Sequence, residues 1–266
     1  MPTPPVVLSI AGYDPSSGAG ITADIKTAAA LGCYAVTCIT ALTVQSTLGV
    51  FRVRAVEPEL VSETLAALAA DVEIAAVRIG MLGSGDVAEA VAEFLDQRKP
   101  PNIVLDPLIR SSSGAALLDD FGLEVLRTQL LPLCTVATPN TFEAMILARA
   151  EDAEDTLVQS ARPLAAALHD LGAKAVVITG GHLNPPDDFL SCRRGGRIET
   201  AVFPGEHIES HSTHGTGCAF ATALACRLAL GDELNQAIRA AKDYVRKAIL
   251  SAYPVGKGVG PINHLG

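Results

Sequence analysis

Short apolar runs alternate with longer Ala-rich stretches along most of the chain. Val6–Ile10, Ala35–Thr40, Ala75–Ile79, Ile103–Leu105, Thr135–Thr138 and Ala175–Thr179 predict buried strands. Ile21–Leu31, Glu57–Ala70, Gly85–Gln97, Asp119–Leu130 and Thr156–Leu171 lie between them and predict helices. Such alternation predicts an α/β fold, with a central, mostly parallel sheet flanked by helices on both faces. The pattern changes over Phe189–Phe203, where two short strands around Arg193-Arg194-Gly195-Gly196-Arg197 predict a hairpin. Two long helices, Thr216–Leu230 and Glu233–Ala252, finish the chain.

In open α/β sheets ligands bind beyond the carboxyl ends of the strands. Gly12-Tyr13-Asp14, Gly80-Met81-Leu82, Asp106-Pro107, Pro139-Asn140 and Gly180-Gly181-His182 all follow predicted strands. They are therefore the segments to search for chemistry.

Composition narrows the class. With 49% hydrophobic residues, 4% aromatics and no Trp, the core must be built from Ala, Val, Leu and Ile, as in buried parallel sheets. No internal repeat or composition break divides the 266 residues, so one domain is expected over 1–266. A net charge of −9 argues against a nucleic-acid surface, which needs clustered Lys and Arg. Arg193–Arg197 reads as a solvated hairpin tip. None of the six cysteines forms a C-x-x-C pair, and reduced thiols in a cytoplasmic protein are expected. The start, Met-Pro-Thr-Pro-Pro, carries no basic leader, and no apolar run is long enough to span a bilayer.

The strongest local signal is Thr213-His214-Gly215-Thr216-Gly217-Cys218-Ala219, directly before an Ala-rich helix. Glycines at a helix entrance let backbone N–H groups converge on an anion, and the helix dipole adds positive potential. Cys218 falls in the first turn, where a thiol pKa is expected to be lowered toward a thiolate base or nucleophile. The alternative is a plain helix start capped by Thr216, with Cys218 filling the core. A second segment, Ala11 through Gly20, has the glycine and proline content to approach a planar ligand, but its spacing is not that of a dinucleotide fingerprint. Asp106 and Glu143 are the carboxylates best placed for Mg²⁺, which is held by one or two carboxylates plus phosphate oxygens. For Glu143, a helix-start charge is the competing reading. Strand alternation would put His207 and His211 on one face and His214 on the other, so a zinc site is not expected.

Taken in order, these stretches resemble the hydroxymethylpyrimidine and hydroxymethylpyrimidine-phosphate kinases of thiamine biosynthesis. The resemblance runs from about Val6 to His264. It is carried by Ile10 through Asp24, Ile39 through Gln45, Ile79 through Leu82, Leu105-Asp106-Pro107, Thr138-Pro139-Asn140, Gly180-Gly181-His182, Thr213 through Cys218, and Gly258 through His264. It implies a ribokinase-like fold and ATP-dependent, Mg²⁺-assisted phosphorylation of 4-amino-5-hydroxymethyl-2-methylpyrimidine, its monophosphate, or both. It also implies that Gln45 reads the pyrimidine edge and that Gly12, Ala19, Asp24 and Met81 line the same pocket. Cys218 would stand beside the reacting hydroxymethyl, with the Gly215, Thr216, Gly217 and Cys218 amides as the anion hole. Asp106, Asn140, Thr179, Gly181 and Glu143 would serve the nucleotide and metal end. The family's lysine before Gly-Gly-His is replaced here by Thr179, and Lys-Ser-Gly after the Asp-Pro strand end by Arg110-Ser111-Ser112-Ser113-Gly114. Tyr13 and Ser17 stand where the family commonly has Ser and Gly. A pyridoxal-type kinase and a non-catalytic pyrimidine binder are the competing readings, and a homodimer is expected by analogy with relatives.

Overall fold

The computed structural model describes residues 3–111, 114–150, 157–181 and 183–265. The helix start expected at Thr156, the Ser112-Ser113 pair and His182 lie outside them. The elements in chain order are β1 (Val6–Tyr13), α1 (Gly20–Ala30), β2 (Tyr34–Ser46), β3 (Gly49–Ala55), α2 (Pro58–Asp71), β4 (Ile74–Ile79) and α3 (Gly85–Arg98). They continue with β5 (Ile103–Leu105), α4 (Asp120–Val125), α5 (Leu131–Leu133), β6 (Val136–Ala137), α6 (Thr141–Ala148), α7 (Leu157–Asp170) and β7 (Ala175–Ile178). The hairpin β8 (Asp188–Arg194) and β9 (Arg197–Phe203) precedes α8 (Thr216–Ala229) and α9 (Leu234–Leu250).

All these strands join one nine-stranded sheet in the order β3-β2-β1-β4-β5-β6-β7-β8-β9. Pairings from β2 through β7 are parallel, and the outer pairs β2–β3, β7–β8 and β8–β9 are antiparallel. From β1 the chain moves first toward β2 and later returns on the other side as β4. The crevice above β1 and β4 is therefore the topological switch point, where open α/β sheets bind ligands.

Period-two alternation assigns each strand residue to a face. Leu8, Val77, Ile103 and Leu105 pack into the core under α2, α3, α6 and α7, while Val7, Ala76, Val104 and Val177 face α8 and α9. The stretch Cys218 through Cys226 of α8 is buried without a break, as a helix apolar all round must be. It lies across β1, β4 and β5, so its N-terminus opens at the switch point.

Three elements differ from the sequence expectation. β2 runs on to Ser46 and folds back as β3, a strand with no buried residue and hence little hydrophobic signal. The helix expected over Asp119–Leu130 is α-helical only to Val125. It continues as a π-helical turn at Leu126–Leu130 and ends in a short turn containing Pro132, which lacks the N–H an α-helix interior requires. The segment holding His207 and His211 is not a strand, so the alternation argument does not apply to it. At the β8–β9 tip, Gly195 and Gly196 take φ of 53° and 78°, the two positive values a two-residue type I′ hairpin turn demands.

Candidate active site

The loop after β1 is wound around one carboxylate. Asp14 accepts N–H bonds from Ser16 (2.8 Å), Gly18 (3.2 Å) and Ala19 (2.9 Å), and the Ser16 hydroxyl at 2.7 Å. His214 Nε2 reaches the same carboxylate at 2.9 Å. Burial alone would raise the Asp14 pKa, but the His214 and Ser16 bonds more than offset it and hold the group below its ordinary value. Gly20, at φ 58°, begins α1 so close to the Gly12 carbonyl that a side chain there would collide with it. Ser17 has φ 62°, so the position where the family commonly has Gly keeps a left-handed backbone here.

Gly215 is the N-cap of α8, with φ 87°, and it has no side chain to cap the helix. The cap expected from Thr216 is thus not formed. Thr216 is the first helical residue, and the first-turn amides receive no side-chain acceptor from the cap position. A Cβ on Gly215 would strike the Gly18 carbonyl, so the two glycine segments abut. The C-terminal tail clamps them: His264 Nε2 donates to the Gly18 carbonyl at 2.9 Å, and the His214 backbone pairs with Gly260 and Ile262.

Beneath this junction lies a buried ionic cluster. Arg78, on β4 and fully buried, bonds Asp24 through Nη1 (3.2 Å) and Asp106 through Nη2 (2.6 Å). Asp24 also accepts the hydroxyls of Ser9 and Thr222. The expected role of Asp24 as a pocket-lining residue needs correction. It is completely buried and both its oxygens are engaged, so it braces the site from below. Gly80 is required because its missing side chain leaves room for the Arg78 guanidinium. Burial alone would lower the Arg78 pKa, but Asp24, Cys218 and Asp106 more than offset it and keep the residue charged.

Cys218 shares this cluster, and its expected low pKa is overturned. Burial pushes the thiol up to about 11; Arg78 and the Gly20 amide favour the thiolate, while Asp106 and Asp24 oppose it. Desolvation outweighs the helix N-terminus here, so the resting group is the thiol.

Asp106 and Glu143 form the other end. Burial raises Asp106 to about 6, with Arg78 opposing and Asp24 adding to the shift. Burial and then Asp106 raise Glu143 to about 8, despite amide bonds from Asn140 and Ile109. Glu143 Oε2 accepts the Asn140 N–H at 3.0 Å, and Asn140 Oδ1 accepts the Glu143 N–H at 2.9 Å, a reciprocal capping box. The helix-start role of Glu143 is therefore present. Asp106 shares the Arg78 guanidinium with Asp24, and among the described residues Glu143 forms no ion pair, which fits a divalent cation held by hard oxygens. Thr179, half-buried at the end of β7, bridges to Asn140, and Gly181 is exposed with open space at its Cα. Arg110, a residue of the run that departs from the family, is exposed.

Beside the loop after β1, Gly12 and Met81 touch: a Cβ on Gly12 would sit 2.9 Å from Met81 Sδ. Ala19 is the N-cap of α1. Gln45, on the β2–β3 hairpin, lies near Thr43 and His214. The sequence reading missed Arg78, Ser9 and Thr222, and it gave no role to His214 or His264, though both lie in stretches it singled out. Arg78 had a usable signal, since a lone charge inside the apolar strand Ile74–Ile79 must find buried partners. The other residues are joined to the site only by long-range packing.

First-turn amides at the α8 entrance, beside the glycine-rich loop after β1, suit phosphoryl transfer to a small acceptor. The fold places this chemistry in the ribokinase-like class of small-molecule kinases. The profile of the phosphomethylpyrimidine kinase family matches residues 14–263. The chain belongs to that family. It is 40% identical over 264 residues to the hydroxymethylpyrimidine/phosphomethylpyrimidine kinase of Streptomyces coelicolor, covering 98% of this chain and 95% of that protein. It is 41% identical over 259 residues to the thiamine biosynthesis bifunctional protein ThiED of Geobacter sulfurreducens, covering 97% of this chain but only 52% of that longer protein. Among solved structures, the ADP complex of Bacillus subtilis pyridoxal kinase superposes with a TM-score of 0.88 at 34% identity, covering 98% of each chain.

Proposed function

We propose that the protein transfers the γ-phosphoryl group of ATP to the hydroxymethyl oxygen of 4-amino-5-hydroxymethyl-2-methylpyrimidine, and then to the resulting monophosphate. The observation that carries this reading is the abutment of Gly18 on Gly215, which sets the ring-binding loop against the helix entrance. The ring would lie among Gly12, Ala19, Gln45 and Met81, with its hydroxymethyl toward Cys218. The amides of Gly215 through Cys218 would face the charge that spreads over the transferring group. The acceptor oxygen forms the new bond to phosphorus, the bond to ADP breaks, and the hydroxyl proton passes to the Cys218 sulfur as thiolate. Mg²⁺, held by Asp106 and Glu143, would neutralise phosphate charge when bound. Coupled ADP release with the pyrimidine alcohol, its monophosphate and pyridoxal as acceptors tests the reading. Turnover only with pyridoxal would favour the chemistry of the Bacillus subtilis neighbour.

Thr179 limits catalysis in this account, because it stands where the family commonly has a lysine. Thr179→Lys is expected to raise kcat/KM for ATP severalfold at saturating Mg²⁺, with KM for the pyrimidine unchanged. No gain would show that the charge is already met from elsewhere. We also propose a homodimer. The β2–β3 hairpin at the sheet edge exposes Leu42, Val44, Leu48 and Phe51, a surface suited to a second copy. Sedimentation velocity distinguishes dimer from monomer.

A further inference from the structure

An amide side chain that reads a ring must present its oxygen and nitrogen in the right order, and a half-turn about its last bond exchanges them. In this chain the neighbours of Gln45 determine the order. Asp14 receives N–H or O–H donors from Ser16, Gly18 and Ala19, so it acts as an ionised acceptor. The His214 Nε2 that lies 2.9 Å from it must therefore carry a proton and donate. One end of the Gln45 amide stands 3.3 Å from that same Nε2. With nitrogen at this end, two donors would oppose each other. At the other end Thr43 Oγ1 lies 3.2 Å from Gln45 and 3.0 Å from the Tyr13 carbonyl. With oxygen at this end, one hydroxyl proton would have to serve two acceptors. A half-turn of the amide removes the donor–donor opposition: the single His214 Nε2 proton is then shared, in a three-centre bond, between Asp14 and the Gln45 oxygen. At the other end the Gln45 nitrogen donates to Thr43, and Thr43 donates to Tyr13.

We infer that His214, anchored by Asp14, is a positioning residue that fixes the Gln45 amide with its oxygen toward His214 and its nitrogen toward Thr43, and thereby sets ring selectivity. This rests on the reading that Gln45 faces the pyrimidine. The amide oxygen keeps one lone pair and the nitrogen one N–H for a ligand, an acceptor and a donor in fixed order. Their complement is an exocyclic amine beside an unprotonated ring nitrogen, as on a 4-aminopyrimidine. The 4-oxo analogue, with a protonated ring nitrogen, presents the reverse order and leaves both pairs mismatched.

The test compares kcat/KM for 4-amino-5-hydroxymethyl-2-methylpyrimidine and its 4-oxo analogue in wild type, His214→Leu, His214→Gln and Gln45→Leu. Wild type is expected to prefer the amine by roughly 10²-fold, because two buried pairs are mismatched in the analogue. His214→Leu should reduce that preference to about tenfold or less, mainly through KM for the amine. His214→Gln, which can still donate to Asp14 or Gln45, should restore part of it. A preference lost in Gln45→Leu but intact in His214→Leu, with both substrates slowed equally, would overturn the positioning role and leave His214 as packing against Gly18. A preference intact in Gln45→Leu would instead overturn the reading of Gln45 itself. Should His214→Leu fail to fold, ¹⁵N NMR of histidine-labelled wild type decides the point. A proton on Nε2 of His214 is expected, and an unprotonated Nε2 would refute the inference.

Discussion

Arg78→Met lowers folding stability by about 3–5 kcal/mol, the effect expected when one partner of a buried ion pair is removed. Asp24 and Asp106 would remain in a dry interior without the guanidinium that both contact. Asp106 already sits at about 6 with Arg78 beside it, so the variant shifts it further up and favours its neutral form. Kinase activity should fall with it, because a protonated Asp106 is a poor ligand for Mg²⁺. The cause can be separated from simple loss of packing. Asp24→Asn in the Arg78→Met background removes one of the stranded charges and should recover part of the lost stability, a non-additivity that urea denaturation of the four proteins measures. Strict additivity would mean that the cluster contributes no specific coupling. Arg78→Lys should rescue only partly, since an ammonium cannot fork to two carboxylates as a guanidinium does.

Cys218→Ala is expected to lower kcat by roughly 10²-fold, the lower end of what a general base contributes. The magnitude is modest because the thiol rests at about 11 and only a small fraction is thiolate near neutrality. The sign of the pH dependence follows from the same value. Thiolate increases as pH rises toward about 11, so above the Glu143 value of about 8 wild-type log kcat climbs by about one unit per pH unit, between about pH 9 and 10. Cys218→Ala should flatten that slope while leaving stability within about 1–2 kcal/mol, since a small side chain is truncated. A flat wild-type profile would remove Cys218 from proton transfer and leave it as packing at the helix entrance.

The sequence made the parallel core legible because buried strands and Ala-rich helices differ in period, and the α8 entrance was legible because its glycines stand together at a helix start. The electrostatics were not. Cys218 was placed correctly in the first turn of α8, but its pKa is set first by burial and then by Arg78, Asp106 and Asp24, which reach it only through the folded sheet. Asp24 was placed in the pocket only by the family resemblance. The turn of α1 buries it, and Thr222, far along the chain, engages its second oxygen. The strand β3 escaped notice because its residues are exposed or half-buried, so alternation there carries little burial contrast. His214 stood in the helix-entrance motif but was given no role beyond a rejected metal ligand, whereas the tail residue Pro261 and the β1 loop draw it toward Asp14.

The central claim is that this site phosphorylates the hydroxymethyl group of the aminopyrimidine. Its most direct test is ³¹P NMR of the product formed from ATP, Mg²⁺ and the pyrimidine alcohol. A phosphomonoester coupled to the methylene protons should appear first, followed with excess ATP by the two coupled signals of a diphosphate. Release of inorganic phosphate alone, or no turnover with the alcohol while pyrimidine still binds, would contradict the account.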